Sequence, residues 1–152
     1  MYFAYLNSPM GLLKIVSDED SILEVLHVNE EKSNSEYIPQ ILKDAINQFN
    51  EYFKGDRKKF DLKIDLKGTE FQKKVWNELT NIEYGQTRSY KDIAIKIENE
   101  KAVRAVGSAN SKNPISIVVP CHRVIGSNKK LTGYAGGLDR KKWLLDHENF
   151  HK

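Results

Sequence analysis

Residues 113–124 read NPISIVVPCHRV, and this stretch decides how the rest of the chain is interpreted. Within it, Ile115–Val119 is a short apolar run, which predicts a buried extended segment. Pro120 has no backbone N–H and is expected to end that segment, so that Cys121 lies where a buried strand stops. A lone cysteine is usually a small buried hydrophobe, but the imidazole and guanidinium groups of the next two residues can favour its thiolate. Cys121 is therefore a candidate nucleophile.

Length and composition exclude several classes of protein. The chain has 152 residues, of which 39% are hydrophobic and 30% charged, a balance typical of globular domains. The single cysteine excludes an internal disulfide framework and a multi-cysteine zinc site. No apolar run approaches the ~20 residues that a membrane span needs, and residues 1–13 lack the basic start of a signal peptide. We expect a soluble cytoplasmic protein with no membrane association.

Positive charge is concentrated in the second half of the chain. Residues 1–65 contain 8 Lys and Arg against 12 Asp and Glu, a net charge of −4, whereas residues 66–152 contain 16 against 9, a net charge of +7. A basic half favours a polyanionic partner for that half alone, although a solvated lysine-rich surface would give the same count.

The first half predicts a sheet followed by a helix. Apolar residues and a turn signal between the first two segments indicate three strands, at Tyr2–Asn7, Leu12–Val16 and Ser21–Val28. The period then becomes helical from Pro39 to about Phe53, with Gly55 as a stop. Residues 56–67 are charged with alternating apolar positions, and they form either a linker or a short edge strand.

The second half predicts short helices and a hairpin. Thr69 with Gln72 and Ser89 with Asp92 have the spacing of a capping box at a helix start. Two short helices joined by a tight turn fit a helix-turn-helix, and the last helix is expected to end at Glu148. The segments are the helices Tyr90–Ile97, Lys101–Ser111 and Leu138–His147 and the hairpin Gly126–Lys130.

Four motifs in a fixed order carry a resemblance to a known family. They are RAVGSANSKNP at 104–114, PCHRV at 120–124, GYAGG at 133–137 and WLLDHE at 143–148. This series resembles the O6-alkylguanine-DNA alkyltransferases, also called methylated-DNA–protein-cysteine methyltransferases. The resemblance implies an α+β fold: an N-terminal ribonuclease-H-like antiparallel sheet with a helix over residues 1–65, and a C-terminal winged helix-turn-helix domain over 66–152.

The resemblance also implies a reaction, DNA repair by direct reversal. Cys121 would accept the alkyl group of O6-alkylguanine, with O4-alkylthymine as a further substrate, in a single turnover after the damaged base is flipped. In the family the adjacent histidine activates the cysteine through a water molecule and a glutamate orients the histidine; the matching residues are His122 and Glu148. Asn113 matches an asparagine that ties the turn before the cysteine to the site, and Tyr90 matches a tyrosine that hydrogen-bonds the flipped purine.

Further positions are carried over for DNA and substrate binding. Arg104 matches an arginine finger that fills the gap left by the flipped base, and Tyr90, Lys91, Asn99 and Ser127 match contacts to the backbone. The matching pocket residues are Val124, Tyr134, Ala135 and Gly136. The implied partner is double-stranded DNA containing alkylated guanine, bound by a monomer without a cofactor. Some members hold a zinc ion in the N-terminal domain, but here that half has no cysteine and only His27, so no metal is expected.

Three other readings remain open from the residues alone. The chain could be a winged-helix DNA-binding protein without chemistry, or a plain interaction domain. It could also be a cysteine hydrolase built from Cys121, His122 and Glu148. The hydrolase is disfavoured because neighbouring residues in a strand point to opposite faces, which hinders direct contact between thiol and imidazole.

Overall fold

The computed structural model describes residues 1–152, which divide into two compact units. The N-terminal unit contains Met1–Leu66 and Pro114–Ser116, and the C-terminal unit contains Lys67–Asn113 and Ile117–Lys152. The short segment 114–116 thus groups with the first unit, although its place in the chain put it in the second. No helix is long and apolar enough to cross a membrane.

The N-terminal unit is built on a three-stranded antiparallel sheet in the order β1–β2–β3. The strands are β1 (Tyr2–Ser8), β2 (Gly11–Ser17) and β3 (Ile22–His27). The turn before β2 uses Gly11 at φ 107°, a conformation that favours glycine. The predicted strands are therefore confirmed, and the register pairs Ala4 with Ile15, two residues buried in the core.

One helix packs against this sheet. Helix α1 (Gln40–Lys54) buries Leu42, Ala45, Phe49 and Tyr52, spaced three or four residues apart. Gly55, at φ 86°, ends it as predicted. The charged stretch that follows is neither a plain linker nor a strand, because Ile64 makes one parallel bridge to Ile22 at the edge of β3.

The apolar run before Cys121 is not the extended strand that the sequence predicted. Ile115 makes only an isolated bridge to Val25, and a turn follows in which Ile117 has φ 75°. A positive φ is rare for a β-branched residue, so no alternation or periodicity announces this turn. Cys121 consequently lies in a 3₁₀ turn, Cys121–Arg123, rather than at the end of a strand.

The C-terminal unit contains four α-helices, and the predicted capping boxes at Thr69 and Ser89 are both present. The helices are α2 (Glu70–Leu79), α3 (Tyr90–Lys96), α4 (Val103–Ser111) and α5 (Leu138–Phe150). Two boundaries differ from the prediction. The second helix of the helix-turn-helix opens as a 3₁₀ turn, Glu100–Ala102, and α5 continues two residues past Glu148. Glu148 therefore lies inside the last helix, where its side chain can be buried.

The predicted wing is a closed turn rather than a hairpin of two strands. Lys130 O accepts a hydrogen bond from Gly126 N at 2.9 Å, and Gly126 O accepts one from Lys129 N at 2.8 Å. The strand that leads into the turn is β5 (Val124–Ile125), which pairs in parallel with β4 (Arg88–Ser89). The residues after Lys130 form no strand, so the wing is held by its own turn and by β4.

Helix α4 has one buried face and one open face. Val106, Ala109 and Asn110 are buried, whereas Arg104 and Ser108 are exposed. Trp76 of α2 is buried against the inner face, and its indole Nε1 donates a hydrogen bond to Ala109 O at 2.8 Å. The small side chains on the exposed face of α4 therefore do not pack against α2, and they leave the helix backbone on that face open to solvent.

Replacing Trp76 tests how firmly α4 is held. Trp76→Phe keeps an aromatic ring but removes the indole N–H, which leaves the Ala109 carbonyl without this buried donor. Ala109 O keeps the hydrogen bond of Lys112 N, so the variant loses one buried hydrogen bond and gains a small cavity where the indole was larger than the phenyl ring. We expect the free energy of unfolding in urea to fall by about 1–3 kcal/mol. An unchanged unfolding midpoint would show that the hydrogen bond contributes no net stability.

Candidate active site

Cys121 is buried, with 3% of its surface exposed. Burial raises the pKa of its thiol to about 11, and the opposing influences of the Asn113 side chain and the Lys141 ammonium do not reverse this. A thiol with such a pKa keeps its proton at neutral pH, whereas the thiolate is the nucleophile. Any reaction at Cys121 therefore needs a group that removes the proton.

Two asparagines of the segment before Cys121 fix the backbone around it. Asn113 Nδ2 donates a hydrogen bond to Val119 O at 2.8 Å, and its side chain also hydrogen-bonds the thiol group. Asn110 Nδ2 donates to the carbonyl of Cys121 itself, at 3.2 Å. These bonds hold both sides of the turn in which the thiol lies. The resemblance had suggested Asn113 but not Asn110.

His122 and Glu148 form a buried pair. His122 Nε2 lies 2.7 Å from Glu148 Oε2, and neither side chain is more than 1% exposed. Burial lowers the pKa of His122 more than the nearby carboxylate raises it, so the ring is neutral at pH 7. A carboxylate only accepts hydrogen bonds, so the ring proton is on Nε2 and Nδ1 is left as an acceptor. His122 Nδ1 is buried and has no hydrogen-bond partner among the protein atoms.

Arg123 holds Glu148 in its charged form. Its Nε donates to Glu148 Oε1 at 2.7 Å, its Nη2 donates to Oε2 at 3.0 Å, and its Nη1 donates to Ile82 O at 2.7 Å. Burial works against the charge of Glu148, but the hydrogen-bonded His122 ring and the Arg123 guanidinium outweigh it and hold the pKa of the carboxyl well below its usual range. The site thus contains a neutral imidazole beside a permanent carboxylate.

Tyr90 and the segment around Gly133 form a second contact region. The hydroxyl of Tyr90 donates to Thr132 O at 2.9 Å. Gly133 has φ 61°, and a Cβ at this position would lie 2.9 Å from the Tyr90 hydroxyl oxygen. Glycine is needed here for its backbone conformation and for the close approach of the tyrosine.

The pocket and DNA positions suggested by the resemblance differ in exposure. Val124 and Tyr134 are buried, whereas Ala135 is exposed and Gly136 is half-buried. The side chains with the carried-over DNA role, apart from half-buried Tyr90, are all exposed: Arg104 on α4, Lys91 on α3, Asn99 before the 3₁₀ turn and Ser127 in the wing. Hydrogen bonds join His122 directly to Glu148, whereas Tyr90 is tied to the segment after the wing.

Models of two domains match the chain. The 6-O-methylguanine DNA methyltransferase ribonuclease-like domain matches residues 1–66, and the DNA-binding domain of the same proteins matches residues 70–150. Together they account for nearly the whole chain. The chain belongs to the 6-O-methylguanine DNA methyltransferase family.

Individual relatives agree with this family assignment. The chain is 48% identical to a methylated-DNA–protein-cysteine methyltransferase of Methanosarcina acetivorans, over 97% of this chain and 98% of the relative. It is 47% identical to one of Mycolicibacterium paratuberculosis, over 95% and 90%. The crystal structure of a Mycobacterium tuberculosis O6-methylguanine methyltransferase superimposes with a TM-score of 0.90 at 40% identity, covering 100% and 95%. The M. tuberculosis OGT structure in complex with DNA gives 0.89 at 43% identity, covering 98% and 93%.

The fold class suggested by the motifs is thereby confirmed for this member of the family. The N-terminal unit corresponds to the ribonuclease-like domain, and the helical C-terminal unit corresponds to the DNA-binding domain.

The third alternative, a cysteine hydrolase, had been disfavoured on the assumption that the thiol and the imidazole lie in a strand. That assumption is wrong, since both lie in the 3₁₀ turn Cys121–Arg123.

Lys141 is a site residue that the sequence analysis missed. Its side chain is fully buried in α5, and Nζ donates to Val124 O and to Thr132 O, both at 2.5 Å. The two carbonyls bracket the wing, so one ammonium group fastens both ends of that segment. A lysine beside exposed Lys142 gives no signal of burial by itself. Its spacing of three and seven residues from Leu144 and Glu148 does place it on the buried face of α5.

The contribution of Lys141 can be measured with Lys141→Met, which keeps the length of the side chain and removes the donors. The buried Val124 carbonyl then loses its ammonium donor, whereas Thr132 O keeps the hydrogen bond of the Tyr90 hydroxyl. We expect the free energy of unfolding at pH 7 to fall on the order of 1–3 kcal/mol. Burial lowers the pKa of Lys141 to about 8, so above that pH the unfolded chain binds more protons at this residue than the folded chain. The stability of the natural protein relative to the variant should therefore increase from about pH 8 to about pH 10, between the pKa of Lys141 in the folded chain and the ordinary value of 10.5.

Urea unfolding at several pH values provides the measurement, with Lys142→Met as the control because Lys142 is exposed and pairs only with Asp146 four residues on. A Lys141→Met variant as stable as the control would contradict this role for the buried ammonium.

Proposed function

We propose that this protein repairs DNA by transferring the alkyl group of O6-alkylguanine to the Sγ atom of Cys121, once per molecule. The observation that carries the proposal is the buried thiol followed directly by His122, whose ring is held by a charged Glu148. This arrangement occurs in a chain whose relatives are named methylated-DNA–protein-cysteine methyltransferases. The two units have different roles in this proposal: residues 66–152 carry DNA binding and the acceptor, and residues 1–65 form a separate N-terminal domain.

The chemistry follows from the protonation states of the site. The proton of the Cys121 thiol passes by way of a water molecule to Nδ1 of His122, and Glu148 stabilises the imidazolium that results. The thiolate then attacks the alkyl carbon, forming a C–S bond as the bond between that carbon and O6 breaks. The electron pair stays with the purine, which takes up one proton, so the products are guanine and a thioether. No second nucleophile stands ready to remove the alkyl group, which makes the reaction a single turnover.

Supporting residues surround the thiol. The Asn113 amide hydrogen-bonds the thiol group and favours its charged form. When the base is bound, the Tyr90 hydroxyl exchanges its hydrogen bond to Thr132 O for one to the purine, on which negative charge develops. Val124, Tyr134, Ala135 and Gly136 form the wall of the base pocket, which is proposed to accept O4-alkylthymine as well.

The alkylated base must leave the helix to reach a buried thiol. Arg104, exposed on the open face of α4, is proposed to enter the duplex and fill the space of the flipped base. Lys91, Asn99 and Ser127, with Tyr90, are proposed to contact the sugar-phosphate backbone around it. All the residues assigned to the reaction and to DNA come from one unit of one chain, which supports action as a monomer on double-stranded DNA.

The proposal predicts one alkyl group per protein molecule. After incubation with excess duplex containing O6-methylguanine, mass spectrometry should show a single added methylene unit, located on Cys121 by peptide mapping. Cys121→Ser should keep DNA binding and lose transfer, because a hydroxyl is a far weaker nucleophile than a thiolate. Methylation of another residue, more than one turnover per molecule, or DNA binding with no adduct would contradict the proposal. The last of these outcomes is what a DNA-binding protein without chemistry would give.

Arg104→Ala should separate base flipping from chemistry. Unstacking a base costs a few kcal/mol, and each 1.36 kcal/mol of lost barrier stabilisation slows a reaction tenfold, so we expect repair of duplex DNA to slow by roughly ten- to a thousandfold. Transfer from the free base O6-benzylguanine needs no flipping and should change much less. Quench kinetics on both substrates give the measurement, and Lys101→Ala, which removes a neighbouring positive charge, is the control. Equal losses on duplex and free base would show that Arg104 is not the finger.

A further inference from the structure

Two buried polar atoms beside Cys121 have no hydrogen-bond partner among the protein atoms: Asn110 Oδ1 and His122 Nδ1. The two side chains are 1% and 0% exposed. Buried polar atoms in folded proteins are nearly always paired, with protein or with bound water, so such a pair of atoms calls for an explanation. Both residues adjoin the acceptor, since Asn110 bonds the carbonyl of Cys121 and His122 is the next residue.

The neighbours of these atoms determine what each can do. Asn110 Nδ2 donates to Cys121 O at 3.2 Å, and a carbonyl accepts only from the NH₂ group, so the free atom of the amide is its oxygen. His122 carries its proton on Nε2, facing Glu148 Oε2 at 2.7 Å, so its Nδ1 is an acceptor. Two acceptors cannot bond each other. A water molecule has two donors and can bond an acceptor with each of them.

We propose that Asn110 is a positioning residue that orients the water molecule through which Cys121 delivers its proton to His122. This water donates one hydrogen to Asn110 Oδ1 and one to His122 Nδ1, and it accepts the hydrogen bond of the Cys121 S–H. Three hydrogen bonds are the usual number for a buried water. When the thiol loses its proton to the water, the water passes its own proton to Nδ1 and is regenerated. The inference rests on the proposed function. It adds Asn110 to Cys121 and His122 as a residue that takes part in the proton relay.

A purely structural role for Asn110 is the competing explanation, because its Nδ2 also holds the Cys121 backbone. The two roles predict different pH dependences. If Asn110 orients the relay, its loss forces the thiol proton to leave without His122, and the reaction then depends on hydroxide. If Asn110 only holds the backbone, the loss of rate is the same at every pH.

Asn110→Leu provides the test, since leucine has a similar volume and neither donates nor accepts hydrogen bonds. The rate of benzyl transfer from O6-benzylguanine is followed from about pH 6 to pH 10, without DNA, so that DNA binding has no influence. General acid–base assistance contributes on the order of a hundredfold or more, and partial loss of the relay should slow transfer about ten- to a hundredfold at pH 7. The deficit should shrink steadily as the pH rises. The charged and titratable groups around the thiol remain in place: His122, Arg123, Lys141 and Glu148.

Two further variants complete the design. Ser111→Ala alters the next residue, whose hydroxyl bonds only the helix backbone, and should leave the rate unchanged. Combining Asn110→Leu with His122→Ala should slow transfer hardly more than His122→Ala alone, since both act on one proton path. Asn110→Ser, whose hydroxyl can still accept a hydrogen bond, should recover part of the rate. If thermal melting shows that the leucine variant does not fold, Asn110→Ala, which also lacks an acceptor, replaces it.

The outcomes distinguish this inference from the proposed function. Wild-type protein that puts neither the methyl group of a methylated duplex nor the benzyl group of the free base on Cys121 overturns the proposed function and the inference with it. If only the free base fails to react, the same pH series is run with the methylated duplex. Wild-type protein that accepts the group, with a deficit in Asn110→Leu that is constant across the pH range or fully additive to that of His122→Ala, overturns the inference alone.

Discussion

The charge of one buried carboxylate, Glu148, underlies the rest of the site. A carboxyl group inside a protein ordinarily takes up a proton, and burial of an isolated charge costs several kcal/mol. The hydrogen-bonded His122 ring and the Arg123 guanidinium prevent this, and Arg123 donates to both oxygens of Glu148 while its third nitrogen is bound to the Ile82 carbonyl. Because the carboxylate stays charged, it can only accept, and it fixes the proton of the His122 ring on Nε2. The remaining ring nitrogen, Nδ1, is then an acceptor in a site that contains a protonated thiol.

This arrangement keeps the Cys121 thiol unreactive in the free protein and allows it to react when a substrate is bound. Burial keeps the Cys121 proton in place, which protects the single thiol of the chain from adventitious oxidation or alkylation. The base that can take this proton is equally buried, and its conjugate acid is stabilised by Glu148. The Asn113 side chain and the Lys141 ammonium favour the thiolate once it forms. Reactivity is therefore expected to depend on a substrate that places its alkyl carbon at the sulfur atom of Cys121.

Local signals in the sequence sufficed for much of the fold. The capping boxes at Thr69 and Ser89 and the apolar segments with their turn signal in the first half are short-range patterns, and the structure contains the helix starts and strands that they predicted. The turn at Ile117 was missed because apolar residues at successive positions read as a strand, whereas the backbone there turns at a positive φ. The pairing of His122 with Glu148, 26 residues apart, has no local signal and came only from the resemblance. Lys141 and Asn110 were missed because polar side chains on helices are ordinarily exposed. For Lys141 the helical spacing from Leu144 and Glu148 was the one signal of burial, and for Asn110 the burial of its side chain depends on tertiary packing.

The central claim is that Glu148 fixes His122 as a neutral ring protonated on Nε2, with Nδ1 free to accept. The ¹⁵N chemical shifts of the His122 ring in the free protein at pH 7 test this most directly, because protonated and unprotonated ring nitrogens resonate far apart. The account predicts a protonated Nε2 and an unprotonated Nδ1. A ring protonated on Nδ1, or on both nitrogens, would contradict it.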